Sequence, residues 1–373
     1  MNLVSLALRN LGQRPVRTLL CALGIAVAVG TALSLLALAR SVQDGAREGL
    51  DETGADLIVR PTYTSGLFGG FIPESALERI AAIPGVSRVS GALVVFARSG
   101  SAPGGLLTFG WPDGSFLWHR VPLRRGHVPA DGERHVAVLG DTAAAELGKK
   151  INDDIDLFGT SFKIVGIARY GSTVNRSAVF VPLADLQEAS YRARQVTIAH
   201  VGVDDPGDRA GIARIRDAIE APGSNVVASP PGEVLDHDRN FVLLEAVSLA
   251  SVVVAAFMSA LNVVTALAMA TQERTREIGI FSAIGWSTGR IIQSILIEGV
   301  FLWALGCALG VALCFAAAWL VPFIPVIGRL IAFRPVAMLI VPVAGAALLL
   351  SLLGALLPAW RAARRLPAEA LRR

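Results

Sequence analysis

The chain has 373 residues, 53% of them hydrophobic and only 17% charged, with a mean hydropathy of +0.56. Soluble domains carry about 25% charged residues, so a purely water-soluble fold is excluded and the apolar surplus belongs in lipid. The net charge of +4 is unevenly spread: residues 40–240 hold 21 Lys and Arg against 25 Asp and Glu, a net of −4, and the remainder holds 13 against 5, a net of +8.

Residues 1–17 read as a short cytoplasmic amphipathic helix carrying Arg9, Arg14 and Arg17, followed by a first span over 18–39. That apolar run is longer than the roughly 7–15 residues of a signal-peptide core. Its small residues Gly24, Ala28 and Ala32, at spacing four, suit a permanent helix interface. It is therefore read as retained, although Ala37, Leu38 and Ala39 resemble a cleavage site. Three further stretches, 241–270, 291–320 and 336–357, meet the roughly 18–20 residues needed to cross a core about 30 Å thick.

Basic residues gather in the N-terminal 17 residues, in the 271–290 connection (Arg274, Arg276, Arg290) and in the 358–373 tail (Arg361, Arg364, Arg365, Arg372, Arg373). The positive-inside rule places all three in the cytoplasm. The 40–240 domain and the 321–335 loop, which holds Arg329 and Arg334 and is broken by Pro322, Pro325 and Pro335, are then outside. Basic residues at span ends set orientation and do not form a nucleic-acid face, so no nucleic-acid partner is expected. Cys21, Cys307 and Cys314 all lie in apolar blocks, which leaves neither a disulfide framework nor a zinc spacing. The predicted fold class is an α-helical membrane protein with four transmembrane helices plus a large α+β extracytoplasmic domain between helices 1 and 2.

Within 40–240, Asp56–Arg60 reads as a strand, Pro73–Ile83 as a helix and Val86–Phe96 as a strand, together a β-α-β unit. Further strands are predicted at His135–Leu139, Ile155–Leu157, Phe162–Ala168, Val179–Val181 and Val196–Val201, with helices at Thr142–Leu147, Leu183–Ala189 and Arg209–Ala221. Two lobes with a boundary near 100–125 fit this alternation. His119, His127, His135, His200 and His237 lack metal-ligand spacing and read as surface or turn residues, and no G-x-S-x-G elbow occurs. The Asp153, Asp154, Asp156 run lacks the Gly and Glu of a calcium loop. Gly140–Lys149 has the wrong glycine spacing for a Walker A loop. No bound cofactor, metal or catalytic site is therefore expected. The aromatics Phe68, Phe71, Trp111, Phe116 and Trp118 read first as core and second as an apolar binding surface.

Beyond the second span, Met269–Ile284 continues with apolar Ile278, Ile280, Phe281 and Ile284 at near-helical spacing before Gly285 ends it. As one helix, Phe241–Ile284 would run roughly 66 Å at ~1.5 Å per residue, a lever ending in a charged elbow braced by pairs such as Glu273 with Arg276 or Glu277. Such an elbow suits docking into a groove of a cytoplasmic partner. Ser248, Ser251, Ala255, Ser259, Asn262 and Ala266 form a small, polar stripe on the second span, and Gly306 and Gly310 form a GxxxG face on the third. Both faces suit close helix packing, against a dimer mate or within the chain. Glu245 and Glu298 are intramembrane acids, for which a structural role is preferred over a proton relay because no second acid or His continues a path.

The segment from Glu273 (ERTREIGIFSAIGWSTGRIIQSILIEGV) resembles the signature of MacB/FtsX-type ABC transporter permeases, as do Ala7–Ala32 and Pro358–Leu371. Gly126–Leu183, with FKIVGI and FVPL, is similar to that family's extracytoplasmic domain. The resemblance implies a bacterial inner-membrane half-transporter, non-catalytic itself, that pairs with a second permease chain and docks a separate ABC ATPase holding ATP and Mg. It carries the docking role onto Glu273, Arg274, Arg276, Glu277, Ile278, Phe281 and Ile284. MacB resembles a fusion with an N-terminal ATPase domain, whereas Met1 here precedes only a short helix, so the ATPase is expected on another chain. Export or extraction of a lipoprotein, lipid, peptide or drug is the leading expectation, with a periplasmic adaptor or lipoprotein as a further partner class. An FtsX-like transmitter activating a cell-wall hydrolase is the alternative, and a membrane-anchored enzyme is a weaker third.

Overall fold

Among the described residues, four helices combine the length and apolarity that a bilayer crossing requires: Pro15–Asp51, Arg239–Glu273, Thr288–Leu320 and Met338–Arg361. A computed structural model describes residues 3–62, 69–100, 102–236, 238–320 and 337–363. Phe68, His237, the 321–335 loop, and Arg364, Arg365, Arg372 and Arg373 of the tail lie outside the described residues.

In chain order the elements are α1 (Leu3–Gln13), α2 (Pro15–Asp51), β1 (Leu57–Pro61), β2 (Ile72–Pro73), α3 (Glu74–Ala81), β3 (Val86–Ser99), β4 (Ala102–Trp111), β5 (Leu123–Gly126) and β6 (Val136–Gly140). Next come α4 (Asp141–Leu147), β7 (Asp154–Leu157), β8 (Thr160–Ala168), α5 (Thr173–Arg176), β9 (Val179–Pro182), α6 (Leu183–Ala189), β10 (Gln195–Val196), β11 (Ile198–Val203), α7 (Arg209–Ile219) and β12 (Val226–Ser229). The chain continues with α8 (Arg239–Glu273), α9 (Thr275–Ala283), α10 (Thr288–Leu320) and α11 (Ala337–Ala363). Two compact units contain these elements, one built on the apolar helices and the other on the α/β segment.

In the helical unit, α1 ends at Gln13 because Pro15 disfavours helical backbone at Arg14, the residue before it, while suiting the first turn of α2. The Thr18 hydroxyl ties the break by donating to the Leu11 and Arg14 carbonyls at 3.0 and 3.1 Å. Small residues then let α2 and α10 approach closely. A Cβ on Gly306 would stand 2.6 Å from the Ile25 Cβ, and one on Gly310 3.0 Å from the Ala26 carbonyl oxygen. The small-residue stripe of α8 is likewise spent within the chain. Ser248, Ala255, Ser259 and Ala266 are buried, Ser251 donates to the Ser248 carbonyl at 2.6 Å, and a Cβ on Gly24 would meet Asn262 Oδ1 at 2.7 Å. The face of α8 left uncovered carries Leu249, Val253, Phe257 and Leu261. Gly306→Leu is expected to destabilise the bundle by about 1–3 kcal/mol through overpacking. Gly289→Ala, with no atom within 4 Å of its new Cβ, is expected to be neutral. Thermal unfolding in detergent separates the two.

In the α/β unit, one sheet runs in the order β12-β1-β11-β3-β4-β9-β6-β8-β5, with β7 added on β8. The β3–β4 hairpin lies within this sheet, which carries a core on each face. Alternation along the strands sorts the two cores. Leu93, Ala97, Ala137 and Leu139 face one, and Ala92, Val94, Val136 and Val138 face the other. The expected β-α-β unit is split, because β11 enters antiparallel between β1 and β3. The 140–149 segment is the α4 helix closed by left-handed Gly148. Trp111 and Trp118 are core residues with ring centroids 5.0 Å apart, whereas Phe71 and Phe116 lie beneath the guanidiniums of Arg192 and Arg88.

The end of α2 is fixed to this domain by side-chain to backbone bonds. Ser172 Oγ donates to the Gly45 carbonyl at 2.7 Å and Asn175 Nδ2 to that of Gly49 at 3.2 Å. Glu52 accepts from the Gly171 and Ser172 amides and from Asn175. The start of α8 is fixed too: Asp238 caps it by accepting from the Asn240 amide at 2.9 Å and pairs with buried Arg60 of β1 at 3.5 Å.

His200, expected at a surface or turn, is instead buried on β11. Burial lowers its pKa to about 4 from 6.5. Protonation therefore favours the unfolded chain, whose histidine titrates normally. This contribution is full above pH 6.5 and is lost as pH falls towards 4, at about 1.4 kcal/mol per unit. Unfolding midpoints measured between pH 7.5 and 5 are expected to fall, and His200→Gln to flatten that slope.

Candidate functional site

Two threonine hydroxyls set the local geometry where α8 ends. Thr271 donates to the Ala268 carbonyl at 3.0 Å, and Thr275 to those of Thr271 and Gln272 at 3.2 and 2.8 Å. Back-bonding of this kind bends helices. Arg274 leaves helical geometry at φ −106° and ψ 21°, so the single 241–284 lever is corrected to two helices, α8 and the short elbow α9. Backbone hydrogen bonds from Arg274 to Ala270 and from Ile278 to Arg274 carry across the bend.

The charges around the bend do not form the Glu273–Arg276 brace expected from helical spacing. Glu273 meets Arg14 at 2.6 Å and Arg17 at 2.7 Å, residues on either side of the α1–α2 break. Arg274 turns inward, only 13% exposed, with Nη1 3.4 Å from Glu298 Oε2 of α10 and Nε 4.0 Å from Glu277. Glu298 is thus an acid with a cationic partner. Glu245 is exposed on α8 and makes no ion pair among the described residues. Asn10, Arg274, Glu277, Trp286 and Glu298 border a small cavity of about 50 Å³.

The seven elbow residues therefore divide. Ile278 packs on the helical core, and Phe281 stacks on Trp286 with centroids 4.7 Å apart, itself covered by Arg290. With Arg274 these face the bundle. Arg276 and Glu277 are exposed, Ile284 is 67% exposed, and Glu273 is partly so. Ile280, 45% exposed, joins this outward group, although the sequence reading gave it no role. Arg14 and Arg17 were likewise read only for orientation. The available signal was that Glu273 and Arg17 both stand where an apolar run meets a polar one, where opposite charges gain by pairing. Among the described residues no three His, Cys, Asp or Glu side chains converge as a metal-ligand set.

Residues 18–221 match the model of the MacB-like periplasmic core domain, and residues 249–367 match that of the FtsX-like permease C-terminal region, which contains the whole elbow. The chain belongs to the MacB/FtsX-like family of ABC transporter permeases. An uncharacterized ABC transporter permease of Mycobacterium tuberculosis is 25% identical over 324 residues, covering 85% of this chain and 87% of its own length. The macrolide export ATP-binding/permease protein MacB of Brucella melitensis is 26% identical over 396 residues, covering 99% of this chain but 60% of its own length. The crystal structure of the periplasmic region of MacB from Actinobacillus actinomycetemcomitans aligns to 50% of this chain and 94% of its own, with a TM-score of 0.40 and 10% identity. This MacB/FtsX-like permease is a bacterial membrane protein with four apolar helices and a large α/β domain between the first two.

Proposed function

We propose that this chain is the permease subunit of an ABC transporter that pairs with a second permease chain and docks a separate ATP-binding subunit on α9. ATP-driven motion passes through α2 and α8 to the inserted domain, which acts on a lipoprotein, lipid, peptide or drug outside the inner membrane. Both termini and the elbow are cytoplasmic in this reading, supported by the Arg-rich flanks. The chain itself binds no cofactor, and ATP and Mg belong to the partner. One observation carries the proposal: α9 presents Arg276, Glu277, Ile280 and Ile284 outward while Arg274, Ile278 and Phe281 hold it to the bundle. A short amphipathic helix held firmly at its base can transmit displacement, where a loose one would absorb it. The bonds fixing the α2 extension and the start of α8 within the α/β domain support the other end of the path.

The match to the FtsX-like region fits an alternative in which the same motion activates a cell-wall hydrolase and nothing is carried. The docking claim is common to both. In nanodiscs holding the permease with its ATPase, Arg276→Glu combined with Ile284→Glu is expected to lower coupled ATP hydrolysis at least tenfold with the thermal midpoint unchanged. Undiminished hydrolysis would overturn the docking assignment. Substrate-dependent transport by the wild-type complex would favour export over signalling.

A further inference from the structure

The α/β domain holds a surface-open cavity of about 290 Å³ that the coupling mechanism does not use. Its wall is formed by Phe96, Leu107, Phe109, Trp111, Tyr170 and Ile198, with residues of the α2 extension opposite. The volume lies near the lower end of the roughly 300–1,000 Å³ found for small-molecule sites, which suits one apolar chain and not the paired chains of a phospholipid.

Two observations distinguish it from a packing void. First, Trp111 Nε1, Tyr170 Oη and His200 Nδ1, all on side chains that line it, are buried without hydrogen-bond partners among the described residues. Such orphans are rare in native interiors. The His200 ring bonds the Ser90 backbone, and Nδ1 is the nitrogen left without a partner. Second, Arg120 in the lining is exposed and makes no ion pair among the described residues. Gly54, at φ +62°, gives it room, because a Cβ there would collide with the guanidinium. Glu52, the carboxylate in the lining, is already engaged by two backbone amides and Asn175. The cavity thus combines an aromatic and aliphatic interior, hydrogen-bonding capacity, and one cation without an ion-pair partner among the described residues, the Glu52 charge being held by its own amide donors.

We propose that this cavity binds a single-chain acidic amphiphile of the fatty-acid class, its chain among the aromatic walls and its carboxylate on Arg120. A carboxylate suits a guanidinium bidentately, and a plain hydrocarbon would leave both the cation and the orphaned polar atoms unanswered. The site stands independently of ATPase docking.

The test is photo-crosslinking of a diazirine-bearing dodecanoic acid to the full chain in nanodiscs, followed by peptide mapping. Crosslinks are expected on the β3, β4 and β11 peptides, competed by excess dodecanoic acid and reduced at least fivefold by Arg120→Ala. Phe96→Glu, which puts a like charge on a side chain 56% exposed, is expected to act similarly. Both positions are at the surface, so folding should be preserved. Crosslinks confined to the membrane helices, indifference to Arg120→Ala, or equal competition by dodecanol would each overturn the proposal.

Discussion

Arg274→Ala is expected to destabilise the helical bundle by about 3–5 kcal/mol, the usual cost of stripping one partner from a buried ion pair. Arg274 and Glu298 side chains are 13% and 7% exposed, with Nη1 and Oε2 3.4 Å apart. Removing the cation leaves a nearly buried carboxylate without its partner, and Glu298→Ala strands the guanidinium in the same way. Replacing both, as Arg274→Met with Glu298→Leu, is expected to recover most of the loss, because a well-packed apolar pair avoids the desolvation that the ions incur. The contrast lies one residue earlier: Glu273 pairs with Arg14 and Arg17 at a partly exposed position, so Glu273→Ala should cost only about 0–1 kcal/mol. Unfolding in detergent across the four variants checks this. If Arg274→Ala were no worse than Glu273→Ala, the elbow would not be anchored through Glu298. Arg274 is for this reason a poor probe of docking, since its loss disturbs the base of α9 before any partner arrives.

Asp238→Ala should have a comparable effect at the opposite end of α8. Asp238 and Arg60 have side chains 1% and 9% exposed and lie 3.5 Å apart, and Asp238 also caps the helix through the Asn240 amide. Truncation strands Arg60 in the domain core, a loss of about 3–5 kcal/mol, and removes a cap worth about 1 kcal/mol. Asp238→Asn keeps the capping oxygen while neutralising the charge, so its deficit should be smaller by roughly the cap. The nearby Arg47–Asp236 pair is half exposed, and breaking it should cost well under 1 kcal/mol. Protease resistance of the α/β domain in the full chain reads all three. A resistant Asp238→Ala domain would contradict anchoring of α8 through Arg60.

The sequence made the four apolar helices plain, because an uncharged run of span length has few other destinations in water. All the helices of the α/β domain but the single-turn α5, and most of its strands, were legible from periodicity as well. β4 was not: Ala102–Trp111 opens on Ala-Pro-Gly-Gly, which reads as a turn, and only pairing with β3 around left-handed Gly105 makes it a strand. The place of β11 between β1 and β3 was equally hidden, since strand order is a long-range property that local alternation does not encode. In the elbow, the residues carried over from the family resemblance include most of the outward group, but Arg274 turns inward. Helical spacing offers it Glu277 at i,i+3, 4.0 Å away, whereas its closer partner is Glu298, on another helix. The threonines that bend the chain at 274 were visible as residues, yet back-bonding of a hydroxyl depends on a rotamer, which a sequence does not show.

Docking of an ATPase on α9 is tested most directly by purifying tagged full-length chain from its native membrane in gentle detergent, as wild type and as Arg276→Glu with Ile284→Glu, and quantifying what accompanies each by mass spectrometry. A Walker-motif ABC ATPase should accompany the wild type and fall at least tenfold with the variant, while any second permease chain stays in both fractions. An ATPase recovered equally with both chains, or with neither under conditions that preserve other ABC complexes, would contradict the account.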